Sequence, residues 1–183
     1  MSHYLIDPAD RLVSFDAAWI AFAESNGAAS LVERTPGASL WSFIANPSVR
    51  ELYRTMLQRV RATGQEISIP FRCDSPLVER HMRLTIRPGV GAPGSLAFRV
   101  DLLREVPQPP AAAVVYASMG AGGGAAAPLV MCSWCKRLDL DGWLAIDEAV
   151  NRRPGLLDAT ALAITHGICP DCRGGLLGEL ELN

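Results

Sequence analysis

Cys132-Ser-Trp-Cys135 and Cys169-Pro-Asp-Cys172 are two CxxC turns with 33 residues between them. A CxxC turn lets two thiolates converge on one ion while backbone N–H groups face the sulfurs. Two such turns supply the tetrahedral four-sulfur set that Zn²⁺ prefers, at about 2.3 Å per bond. The pattern therefore predicts one zinc per chain held by Cys132, Cys135, Cys169 and Cys172. Iron also accepts four thiolates, which keeps an iron–sulfur cluster open as the alternative. The separation exceeds the roughly 15–20 residues of a compact double knuckle. An insert is expected there, built on a helix around residues 146–152. His166 stands three residues before Cys169. It can replace a cysteine as ligand, donate a hydrogen bond to a thiolate, or sit exposed beside Gly167. Trp134 and Trp143 read as cover for the site.

Charge narrows what such a centre serves. Residues 129–183 carry Lys136, Arg137, Arg152, Arg153 and Arg173 against eight acids, and the whole chain is at −2. Four thiolates around a dication add further negative charge, so a phosphate backbone is repelled and a nucleic-acid partner is disfavoured. A structural module that docks a protein is preferred. No run reaches the roughly 18 apolar residues of a membrane span. The first residues, Met-Ser-His-Tyr-Leu-Ile-Asp, show no secretory signal, so a cytoplasmic address is expected. Five cysteines at that address are expected to be reduced or metal-bound. Three scattered histidines and no recognisable Ser/His/Asp or paired-carboxylate arrangement give no active site to build on, and no enzyme is expected.

The remaining chain must position this centre. One composition shift divides it: residues 106–128 read VPQPPAAAVVYASMGAGGGAAAP, without a charge, a linker in which only Val114, Val115 and Tyr116 offer anything to dock. The expected organisation is 1–105, a linker 106–128, and the four-cysteine module 129–183. In the first block, Tyr4–Asp7 and Arg11–Phe15 are strand-like, Asp16 can cap a helix carrying Trp19, Ile20, Phe22 and Ala23, and that helix ends near Asn26-Gly27. Ser48 with Glu51 forms a capping box for a long helix over 48–62, whose Val49, Leu52, Tyr53, Met56, Leu57 and Val60 make one apolar face. Three strands follow. Ile67, Ile69, Phe71 and Cys73 alternate inward, then Met82, Leu84 and Ile86, then Leu96, Phe98, Val100 and Leu102; His81, Arg83, Thr85 and Arg87 face outward. Cys73 reads as a buried small apolar residue, with a thiol facing a pocket as its functional alternative.

This order, two strands, a helical middle and three antiparallel strands, with FDAAWIAFAESNG after the second strand and GASLWSFI before the long helix, resembles a PAS sensory domain over residues 3–105. The block from FRCDSP to Leu84, with CSWCKR and THGICPDC after it, is also similar to a group of bacterial proteins that join these two parts. The resemblance implies an α+β fold: a PAS-like five-stranded antiparallel sheet with helices on one face, plus a small C-terminal zinc-binding module. It implies signal transduction, as a sensor or adaptor that docks a protein partner. The outward sheet face, with Arg72, His81, Arg83, Arg87 and Arg99, would meet that partner or a second copy in a homodimer. The helical middle lacks a flavin-type cysteine and the long helix lacks a haem-type histidine, which leaves a PAS ligand unknown. A thiol redox switch that releases zinc when the cysteines pair is the alternative from another class.

Overall fold

The computed structural model describes residues 2–25, 29–110, 128–156 and 164–182. The linker from 111 to 127, with Val114, Val115 and Tyr116, lies outside the described residues, as do Asn26 and Gly27. The chain groups into two compact units. One is Met1–Ile69 with Arg83–Leu102 and Leu180–Asn183; the other is Pro70–Met82 with Leu103–Glu179.

The first unit begins with β1 (Ser2–Ile6) and β2 (Leu12–Phe15), an antiparallel pair. Asp16 then caps α1 (Ala17–Ser25), accepting the Trp19 N–H at 2.8 Å, and α2 (Ala29–Arg34) and a single 3₁₀ turn (Leu40–Ser42) follow. The long helix α3 spans Pro47–Thr63 and buries Val49, Leu52, Met56, Leu57 and Val60, the stripe its period requires. Its start corrects the expected capping box. Asn46, not Ser48, is the cap: its Oδ1 accepts the N–H groups of Ser48 and Val49 at 3.0 and 3.2 Å. Pro47 takes the first helical position, where a missing N–H costs nothing. Gly64 ends the helix at φ 70°, a conformation that favours a residue without Cβ.

Strands β3 (Ile67–Arg72), β4 (Val78–Pro88) and β5 (Leu96–Pro107) complete a five-stranded antiparallel sheet in the order β2-β1-β5-β4-β3. The chain is therefore α+β. Pro70 is tolerated because β3 is an edge strand, where a missing N–H breaks no ladder. The β1–β5 register sets Ile6 opposite Leu96 and Tyr4 opposite Phe98, whose rings stack at 4.4 Å. The alternation holds for Ile67, Ile69, Met82, Leu84, Ile86, Leu96 and Phe98, all buried. It fails at two positions. Thr85, expected outside, is 1% exposed, and its hydroxyl meets Ser68 Oγ at 3.2 Å, which satisfies a buried polar group. Leu102, expected inside, is 46% exposed.

The second unit contains a four-stranded sheet, β8-β7-β6-β9, made of β6 (Leu129–Cys132), β7 (Leu138–Asp139), β8 (Trp143–Leu144) and β9 (Ile164–Gly167). Asp141 at φ 56° and Gly142 at φ 133° make the turn into β8. The helix expected within the insert is α4 (Ile146–Arg152), and α5 (Pro170–Leu182) closes the described chain. Met131, Leu138, Leu140 and Ala149 form a small buried cluster, with Leu144, Ile146, Val150 and Ile164 packed against it. The pairing that matters is between β6 and β9. It is parallel, with Met131 opposite His166 and Cys132 opposite Gly167. Parallel strands end on the same side, and here each ends at a CxxC turn.

Candidate metal centre

The first turn leaves β6 at Cys132 and is tied by short backbone bonds. Cys132 N–H donates to Arg137 O at 2.8 Å, and Lys136 N–H returns to Cys132 O at 3.0 Å. Lys136 holds φ 63°, the left-handed step that folds the turn back on itself. Ser133 N–H reaches Gly167 O at 2.9 Å, extending the β6–β9 ladder by one bond into the turn. Its own carbonyl accepts the N–H of Arg72 at 3.1 Å, which anchors the turn to the end of β3. The second turn opens α5, where Arg173 N–H donates to Cys169 O at 2.9 Å.

These ties bring the four sulfurs together. The Sγ atoms of Cys132, Cys135, Cys169 and Cys172 all lie within 4.8 Å of one another. Sulfurs about 2.3 Å from a tetrahedral centre stand about 3.8 Å apart, and Cys135 Sγ and Cys169 Sγ are 3.7 Å apart. All four are free thiols, with Cys132 and Cys169 buried and Cys135 and Cys172 half-buried. The set can hold a metal ion. Its donors, four soft sulfurs without carboxylate or water, suit zinc or iron and not magnesium or calcium.

Backbone donors line the same sulfurs. Cys169 N–H points at Cys132 Sγ, and Cys172 N–H at Cys169 Sγ, both at 3.4 Å. Burial pushes the Cys132 thiol up, but the N–H groups of Cys135, Cys169 and Trp134 outweigh it and hold the thiol below its ordinary value. Cys135 is pushed up to about 11, by burial first and then by the Cys132 charge, against the N–H of Arg137. Cys172 is also pushed up, by burial first and then by its bond with Cys169. Several thiolates at this separation repel one another, and a dication among them removes that cost. Arg137, paired with Asp171 at 2.9 Å, adds a cation near Cys135 and Cys169.

His166 does not join the group. It lies exposed on β9, and among the described residues its ring makes no hydrogen bond to a sulfur. Partial desolvation first, then the Lys136 cation, lowers its pKa. Lys136 itself is 5% exposed, with its pKa lowered by burial. Cys73 lies just past β3, half-buried, its thiol raised by burial against Lys136 and Arg80. Beside it Arg72 is paired with Asp74 and with Glu79, which also holds His81.

A hollow of about 390 Å³ lies in the second unit. Phe71, Met82, Leu103 and Leu176 give it apolar walls, and Trp134 and Cys172 complete them. The buried Trp134 Nε1 has no hydrogen-bond partner among the described residues. Sequence reasoning missed this hollow, because residues from β3, β4, β5, the first turn and α5 meet there without any local spacing to announce it. No helix among the described residues is long and apolar enough to cross a membrane. No family model, curated protein or solved structure matches the chain.

Proposed function

We propose that the chain is a cytosolic sensor or adaptor, in which a PAS-like sheet is joined to a four-thiolate zinc centre that fixes a surface for a protein partner. The convergence of four thiols on a sphere of zinc-site dimensions carries this reading. Zinc is preferred because it asks only for four sulfurs in a tetrahedron and no bridging sulfide. Its role here is structural. Four protein ligands leave no open coordination position for water or substrate, and among the described residues the apolar cluster around β6 has only four buried members. Metal binding then contributes folding energy directly.

The sensory half of the reading rests on chain order. Two strands, a helical middle with one long amphipathic helix, and three further strands close into one antiparallel sheet, as the PAS resemblance requires. Arg83 and Arg87 are exposed on β4, and Arg99 is paired with its neighbour Asp101. These charges offer polar contacts to a partner or to a second copy. Elemental analysis with an absorption spectrum tests the centre. One zinc per chain and a colourless protein are expected. Iron with visible absorption would replace zinc by a cluster, and a metal content near zero after gentle purification would remove the proposal.

A further inference from the structure

The four sulfurs are not equivalent. Cys132 Sγ accepts backbone N–H groups from Cys135, Cys169 and Trp134, Cys135 Sγ accepts one from Arg137, and Cys169 Sγ accepts one from Cys172. Backbone N–H groups point at Cys132 Sγ and Cys169 Sγ at 3.4 Å, whereas the hydrogen-bond neighbours of Cys172 Sγ are the thiols of Cys169 and Cys135. Hydrogen bonds to a thiolate occupy the electron pairs with which it attacks, so the sulfur without them is the strongest nucleophile of a metal-bound set. The nearby cations also favour the others, with Lys136 near Cys132, and Arg137 near Cys135 and Cys169. Cys172 is moreover the cysteine of the four that lines the hollow. Its volume, about 390 Å³, falls at the small end of the ~300–1,000 Å³ range of ligand cavities.

The walls state what would fit. Phe71, Met82, Leu103 and Leu176 call for an apolar body. Arg72 and His81 also face the hollow but are already paired with Asp74 and Glu79, so they offer little to an anion, which the thiolates would repel in any case. Among the described residues, Trp134 Nε1–H is buried without an acceptor, and an uncharged carbonyl oxygen would supply one.

We infer that Cys172 is the reactive thiolate of the metal centre, and that the hollow beside it admits small, uncharged α,β-unsaturated carbonyl compounds, which alkylate it. The Cys172 electron pair forms an S–C bond to the β-carbon. The alkene π pair moves toward the carbonyl, and the resulting enolate takes a proton from water. The sulfur becomes a neutral thioether, the metal loses one anionic ligand, and binding of the metal weakens. This rests on the four-thiolate reading and gives it a signal, covalent capture of a soft electrophile read out as metal loss.

N-phenylmaleimide is a suitable probe, with an apolar ring, imide carbonyls and no charge. Metal content is measured first. Its absence would remove the proposed function and this inference together, whereas a wrong site of reaction in metal-loaded protein removes this inference alone. Metal-loaded full-length protein is treated with one equivalent, the adduct located by peptide mass, and released metal followed with a chromogenic chelator. The first adduct is expected on Cys172, with metal released in step. A first adduct on Cys73, Cys135 or elsewhere would overturn the assignment.

Two glycines of α5 provide a matched test that leaves every cysteine in place. A Cβ at Gly175 or at Gly178 meets nothing within 4 Å, so both positions accept a side chain, but Gly175 lines the hollow and Gly178 does not. Gly175→Leu is expected to slow Cys172 alkylation about tenfold, the scale on which a blocked approach to a reacting atom is felt. Gly178→Leu is expected to leave the rate unchanged. Equal rates in the two variants would overturn the role of the hollow.

Discussion

In the first unit, Ile6, Leu52, Met56, Val60 and Phe98 are each at most 1% exposed, and they come from β1, β5 and α3. In the second, Met131, Leu138 and Ala149 are as deeply buried, but they come from short elements, and beside them Cys132 and Cys169 are buried as well. The first unit is built from large side chains at helix and strand periods, each worth about 1.5–3 kcal/mol on burial. The second spends two of its buried positions on sulfur. It also uses two-residue strands that cannot hold a sheet alone, since pairing on that scale is marginal in water. On the proposed reading, one region is stabilised by area and the other by a point. Removing the point and removing area should therefore act on different halves of the molecule.

The largest effect separates them most clearly. Cys132→Ser, or a strong chelator, should cost the second unit most of its stability, because structural zinc contributes about 10–16 kcal/mol in zinc-finger peptides at neutral pH. Amide exchange read by mass spectrometry should show β6 and β9 losing protection while α3 keeps it. Loss of protection in α3 to the same degree would join the two regions into one cooperative unit and end the contrast.

The converse is Phe98→Ala. This ring is fully buried and stacked on Tyr4. Truncation should cost about 3–5 kcal/mol through lost transfer energy and the cavity left behind. Metal content, measured on folded protein below the new melting temperature, should stay at the wild-type value. A variant that also loses its metal would show that the point depends on the area.

A smaller change bears on how the first unit was legible. Asn46→Ala should cost about 1 kcal/mol, and Ser48→Ala only a few tenths, since the cap oxygen belongs to Asn46. The reverse order in denaturant midpoints would restore the capping box. The sequence pattern favoured Ser48 because Glu51 follows at the right spacing; it could not weigh Pro47, which suits the first helical turn and moves the cap one residue before it. The same kind of limit explains Thr85 and Leu102. Alternation places a residue on a face, but whether that face is covered depends on what packs there, and Ser68 waits for the Thr85 hydroxyl. The cysteine turns were legible because their chemistry lies within four residues. Their meeting was not visible in the same way. It comes from parallel pairing of β6 with β9, strands more than thirty residues apart, and such long connections leave no period to read.

His166→Ala is expected to do least, and it sets how small the metal point is. From sequence, His166 was a candidate ligand, a hydrogen-bond donor to a thiolate or an exposed residue beside Gly167, and loss of such a donor weakens metal binding by about 10–100-fold. The structure puts the ring on the exposed side of β9, outside the group of four sulfurs that close on one another. Its backbone stays in the β6–β9 ladder whatever the side chain, because Met131 pairs with residue 166 through main-chain groups. Alanine should therefore keep one metal per chain, with affinity within about twofold of wild type in a competition titration, as for an exposed substitution that touches no partner. A loss of tenfold or more would mean that the ring turns inward to the thiolates once metal is bound, and the centre would then extend beyond four cysteines into β9. The contrast between area and point would survive that result, but the point would include a side chain that titrates near neutral pH, and metal retention would then depend on pH in that range.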